Sequence, residues 1–373
     1  MWNRSFSSNA TRAVLKDKKW DALVVGAGHN GLIAAAYLAR AGLSVAVLER
    51  RHVIGGAAVT EELIPGFKFS RCSYLLSLLR PSIIRDLELR RHGLKLLKPM
   101  ATSFTPCLDG RYLLLGMNDE HDYLEISKFS KRDADAYPRQ LINLLVSPTS
   151  KVLNGWFESD VLKATLAGDA IIGTMGGMGS VSMAISNAAI EAGVHIATNA
   201  EVLLADGTQV HSSVVLSNAT PYKTFVEMVP QTSLPDDFLR AIKCSDYTSG
   251  TTKINVAVDK LPQFKSCNLN NQDEVGPQHT ATIHIGAERM EDIGTACQDA
   301  WNGFPSKRPV MEMTIPSSLD KTVSPPGTDL YAKRCFKLID EYAPGFSSSI
   351  IGYDMLTPPD LEKEIGLTGK SPI

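Results

Sequence analysis

No two cysteines of this sequence stand at a CxxC or CxxxxC spacing. The six, Cys72, Cys107, Cys244, Cys267, Cys297 and Cys335, are scattered along 373 residues. That spacing excludes a zinc ribbon and a redox dithiol, and no metal site is expected. Scattered free thiols suit a reducing compartment better than a disulfide framework. No apolar run reaches the roughly 18 residues that a membrane-spanning helix needs. Neither sign of charge dominates: 38 basic residues face 40 acidic ones, for a net charge of −2. A nucleic-acid partner is therefore not expected. Internal repeats and low-complexity tracts are also absent. What remains is 44% hydrophobic and 21% charged, the composition of a globular protein large enough for two domains.

The first 19 residues stand apart. Arg4, Arg12, Lys16, Lys18 and Lys19 face one acid, Asp17, and Ser5, Ser7, Ser8 and Thr11 add hydroxyls. Such a segment reads either as a mitochondrial transit peptide or as a solvated tail, and it lacks the apolar stretch of a secretory signal.

From Asp21 the pattern becomes specific. The apolar run 21–25 has the length of a buried parallel strand. Gly26, Gly28 and Gly31 follow it at GxGxxG spacing. Residues 32–41 then read as an alanine-rich helix closed by Gly42. Residues 44–48 read as a second strand, ending on Glu49. A lone GxGxxG is a weak signal. Between a strand and a helix, with an acid ending the next strand, it marks a dinucleotide site. The glycines allow the turn, the approach of a pyrophosphate and the packing of helix on strand. The helix N-terminus meets the phosphates, and the carboxylate accepts from ribose hydroxyls. Arg50 follows at once, then Gly55, Gly56 and Ala57. A second close backbone approach just past the acid favours FAD over a nicotinamide cofactor.

Further along the texture changes. Residues 253–259, 282–285 and 311–315 alternate apolar and polar, the period of half-buried antiparallel strands. In the first of these, Ile254, Val256 and Val258 are expected inward, with Lys253, Asn255 and Asp259 outward. These stretches predict a second, substrate-side domain.

The residues around Gly26, Gly28 and Gly31, with Glu49, Arg50, Gly55, Gly56 and Ala57, resemble the phytoene desaturase-like FAD oxidoreductases. A glycine-rich helix start at 176–179, a helix at 182–192 and a strand at 214–219 extend the likeness. Residues 61–81, 342–346 and 356–360 narrow it to a mitochondrial branch of that family. The resemblance implies an α/β fold. It would hold a Rossmann-like FAD-binding domain of the glutathione reductase class and a second α+β substrate domain on an antiparallel sheet. It divides the chain into a transit segment 1–19, FAD-domain stretches 20–105 and 176–220, a shortened cap 106–175 and a substrate domain 221–373. It implies hydride transfer from a small apolar substrate to FAD in the mitochondrial matrix, and a part in mitochondrial function. A flavin-free scaffold protein and an amine oxidase-like flavoenzyme are the alternatives. The family's later glycine-rich FAD segment has no counterpart here, and the stretches 147–179 and 202–206 look shortened. Both features predict weak retention of flavin.

By the same resemblance, residues 67–74 run toward the flavin. Arg71 would stabilise its reduced form and Tyr74 would wall the pocket, although either could equally sit in a surface loop. Cys72 reads as a packed thiol, with no histidine beside it in the sequence. His29 reads as a phosphate contact or a loop residue. His284 faces away from Ile283 and Ile285, toward the surface or a pocket, with the surface favoured. Asn218 and Thr220 form a glycosylation motif that the compartment would leave idle.

Overall fold

The computed structural model describes residues 14–16, 18–73, 76, 79–96, 100–144, 157–163, 165, 178–202, 209–247, 251–267, 275–286, 288–301, 309–313 and 330–368. From Trp20 the chain runs through β1 (Trp20–Val25), α1 (His29–Arg40) and β2 (Val45–Leu48). A hairpin follows, β3 (Thr60–Ile64) and β4 (Phe67–Ser70), then the short α2 (Pro81–Asp86). β5 (Ser103–Pro106), β6 (Tyr112–Leu115), α3 (Asp119–Ser127) and α4 (Lys131–Leu144) come next. α5 (Met178–Glu191), β7 (His195–Ala197) and β8 (Ser212–Ser217) complete the first sheet. α6 (Asp236–Cys244), β9 (Lys253–Val258), β10 (Thr282–Ile285), α7 (Met290–Trp301), β11 (Met311–Met313), α8 (Leu330–Tyr342), β12 (Ile350–Leu356) and α9 (Pro358–Ile365) follow.

The first sheet has the order β7-β2-β1-β8, and every pair in it is parallel. Strand residues alternate between faces. Ala22, Val24, Val45 and Val47 meet α1 and α5 on one face. Leu23, Ala46 and Leu48 meet Leu15 and Trp20 on the other. Burial on both faces is why these strands read as continuous apolar runs. The alanines of α1, Ala35, Ala36 and Ala39, and those of α5, Ala184, Ala188 and Ala189, share that first core. Small side chains let the helices approach the sheet closely. Leu15 is 3% exposed, and its carbonyl accepts from Trp20 Nε1 at 3.2 Å. The fold therefore begins before residue 20, so a boundary at 19 would cut into a packed cluster.

The second sheet has the order β11-β10-β5-β6. β10–β11 and β5–β6 are antiparallel, but β10–β5 is parallel. The sheet is thus mixed rather than antiparallel, because β5 enters it from far upstream. Ser103–Pro106 straddles the expected break at 105/106 and belongs with this sheet. His284 is 4% exposed, not superficial. Its strand lies between two others, and the sheet's core contains Phe104, Ile283, Phe336 and Tyr342. Among the described residues β9 pairs only with β12, yet both of its faces are covered. Ile254, Val256 and Val258 pack on the second core, while Ala257 packs on the β3–β4 hairpin. Asn255 is likewise buried, not outward.

Leu32 is fully buried at the start of α1. Leu32→Ala should cost about 2–5 kcal/mol. Chemical denaturation should show a lower midpoint at unchanged slope.

Candidate functional site

Within the first sheet the chain order reverses beside β1: β2 lies on one side and β8 on the other. Ligands of open parallel sheets bind outside the carboxyl ends of the strands at such a switch point. Gly26, Gly28 and Gly31 stand there. A Cβ on Gly31 would lie 2.3 Å from the Gly26 carbonyl oxygen, so only glycine lets α1 start that close to the turn. Gly28 is the N-cap of α1. No side chain caps the helix, and no acid lies in its first turn. Its first N–H groups and its positive dipole end are left for a ligand.

The second glycine pair closes on the first. Gly55 N–H donates to the Ala27 carbonyl at 2.8 Å, and Gly28 and Gly55 form a parallel bridge. A Cβ on Gly56 would stand 3.3 Å from Gly28 Cα. Gly55 holds φ +117°, and a Cβ there would meet the Ala58 carbonyl oxygen at 2.5 Å. Ala57 continues this loop, its carbonyl accepting from Ser73 N–H at 2.9 Å. A cradle that side chains would fill fits a long phosphate-bearing group.

Glu49 is 7% exposed and spans the two loops. Its Oε2 accepts from Ala27 N–H at 2.8 Å and its Oε1 from Arg51 N–H at 2.9 Å. Each carboxylate oxygen keeps further acceptor capacity, as a ribose contact requires. His29 is pushed below its ordinary value by burial, so it is neutral at pH 7 and adds no cation to the turn.

Other expected residues have different surroundings. Arg50 Nη2 donates to the Lys363 and Glu364 carbonyls, both at 3.2 Å, at the C-terminal end of α9. Arg71 is 15% exposed in an ionic cluster. Its Nη1 lies 3.5 Å from Glu61 and 3.3 Å from Glu364, and its Nε 3.8 Å from Asp354. Arg51 adds a second cation on Glu61 at 2.9 Å. Burial opposes the Arg71 charge, but Glu61, Asp354 and Glu364 outweigh it and hold its pKa above the ordinary value. A guanidinium matched by three carboxylates has little charge left for an anionic flavin. Its evident work is to tie the β3 strand to β12 and α9. Tyr74 lies outside the described residues.

Beyond the double glycine, Cys72 is pushed up to about 11, mainly by burial, which makes it an inert thiol. Lys253 is pushed down to about 8 by burial, partly offset by Cys72. Asn255, on the same face of β9, donates from Nδ2 to the Arg71 carbonyl at 3.0 Å. Lys253 can therefore exchange a proton near neutral pH. Sequence reading missed it because strand alternation assigned it to solvent. Among the described residues no cluster of His, Cys, Asp or Glu could hold a metal, and no helix is long and apolar enough to cross a membrane.

This turn, helix and acid define a Rossmann-type dinucleotide-binding protein. The profile of the NAD(P)-binding Rossmann-like domain matches residues 24–86. A rat relative, pyridine nucleotide-disulfide oxidoreductase domain-containing protein 2, is 40% identical over 484 residues, covering 94% of this chain and 83% of the relative. The chain belongs to that oxidoreductase family. The alignment is longer than the chain itself, so internal stretches of the relative have no counterpart here. Phytoene desaturase of Fusarium fujikuroi is 24% identical over 399 residues, covering 84% of this chain and 66% of that one. A cofactor-binding redesign of putrescine oxidase shares the fold, with a TM-score of 0.50 at 16% identity over 94% of this chain and 86% of that one.

Lys253 supplies a pH test. Its folded value near 8 lies below the ordinary 10.5, so the unfolded chain binds the extra proton between these values. Stability should therefore rise with pH from about 8 to 10.5 and be flat in this respect outside that window. Lys253→Met should flatten the rise in denaturant midpoints measured across it.

Proposed function

We propose that the chain is an FAD-dependent oxidoreductase of the dehydrogenase or desaturase type, acting on a small apolar substrate in the mitochondrial matrix. The observation that carries the cofactor reading is the uncapped N-terminus of α1, enclosed by two touching glycine loops with Glu49 between them. A nicotinamide cofactor needs only the first loop. The closure of Gly55 and Gly56 on Gly28 supports the longer flavin cofactor. Likeness to a phytoene desaturase supports the apolar substrate.

Bound FAD supplies the hydride acceptor, and the protein's part is binding, orientation and exclusion of water. The α1 N–H groups and dipole would hold the pyrophosphate. Glu49 would accept from the ribose hydroxyls and, through Ala27 N–H, keeps the turn in register. Gly26, Gly28, Gly31, Gly55, Gly56 and Ala57 present backbone instead of side chains along the cofactor. Arg50 fixes α9 beside the site. No dedicated acid or base is required for hydride abstraction.

Calorimetric titration with FAD and with ADP tests the reading. Both should bind, and Glu49→Gln should weaken both by about 1.5–3 kcal/mol, the usual range for hydrogen bonds to a charged group. No binding of either, or a Glu49→Gln protein with unchanged affinity, would contradict it.

The basic, acid-poor composition of residues 1–19 supports mitochondrial delivery. Residues 1–30 fused to a fluorescent protein should send it to mitochondria. An evenly cytosolic signal would refute the localisation without touching the cofactor reading.

A further inference from the structure

Asn218 follows the last residue of β8. Ser217 pairs with Val25, and Asn218 N–H donates to the Val25 carbonyl at 2.8 Å. That pairing brings Asn218 level with the glycine turn on the neighbouring strand, and its side chain lies against the turn. A Cβ on Gly28 would stand 2.6 Å from Asn218 Nδ2. One on Gly31 would stand 3.2 Å from Asn218 Cβ and 3.3 Å from Nδ2, and one on Gly26 3.5 Å from Cβ. All three glycines of the motif therefore face this one side chain.

A carboxamide carries two donor hydrogens and an acceptor oxygen. Among the described residues, none of these has a hydrogen-bond partner, although the backbone of Asn218 is paired. The Asn218 side chain is half-buried, so its amide stays open to a ligand, and it lies beside the uncapped helix start. We propose that Asn218 is a cofactor-binding residue, its Nδ2–H donating to a pyrophosphate oxygen of FAD at the glycine turn. The proposal rests on the FAD reading above.

Charge separates this role from simple packing. Asn218→Asp keeps size and shape, but it replaces a donor with an anion facing the pyrophosphate. Asn218→Ala removes the donor alone. The ligands are ADP and FAD, titrated against full-length protein, with the thermal midpoint of each ligand-free variant as a check on folding. Asn218→Ala should weaken both ligands about tenfold. Asn218→Asp should weaken them further, and its extra deficit should shrink with added salt. In wild-type protein labelled with 15N-asparagine, ADP should shift the Asn218 side-chain amide signal, a readout that needs no stable variant. If wild type binds ADP while both variants match it within twofold, or the amide signal does not move, Asn218 is not a ligand and the FAD reading stands. If wild type binds neither ADP nor FAD, both readings fall.

Discussion

Glu49 holds the site together. A buried carboxylate must find donors, and it finds them on both loops: Ala27 N–H in the glycine turn and Arg51 N–H beyond β2. The backbone around it is fixed as well. Glu49 N–H donates to Ala197 of β7 at 2.8 Å, and its carbonyl accepts from Ala200 at 2.8 Å. One residue thus joins β2, β7 and the turn before α1. Once the turn is placed, Gly55 can reach the Ala27 carbonyl, and α5 can pack where Ser182 Oγ donates to Ala58 at 2.7 Å. Each later contact presupposes the first.

The second core is joined to this frame by charge as well as by the apolar contact of Ala257 with the β3–β4 hairpin. Arg51, Glu61, Arg71, Asp354 and Glu364 come from the exit of β2, from β3, from the segment after β4, from β12 and from α9. Partly buried ion pairs of this kind add little net stability, but leaving one member unpaired is costly. Their contribution is therefore registry. They fix where the segment after the double glycine runs, and with it the face that carries Cys72 and Lys253.

The βαβ unit was legible in the sequence because its signals are local. Glycines at Gly26, Gly28 and Gly31, an apolar run on either side and an acid at Glu49 all fall within residues 21–49. The rest depends on distant partners. Nothing near His284 says that β5 and β11 will cover both edges of its strand. Nothing near Asn255 says that the Arg71 carbonyl waits for it. Alternation assigned one face of β9 to solvent, but a hairpin from 190 residues upstream covers that face, as the pairing of Asn255 with Arg71 at a separation of 184 residues illustrates. Asn218 reads in the sequence as part of a flavin-domain strand at 214–219 and of a glycosylation motif, but its place beside Gly28 follows from a parallel pairing between β1 and β8 that no local pattern encodes.

The central claim is that the two glycine loops and Glu49 form one nucleotide cradle. A crystal structure of the chain grown with ADP tests it most directly. The account predicts the diphosphate over the turn between Gly26 and Gly31, at the N-terminus of α1, with the ribose hydroxyls in hydrogen-bond contact with the Glu49 carboxylate. ADP bound elsewhere, or a diphosphate at the turn with its ribose away from Glu49, would contradict it.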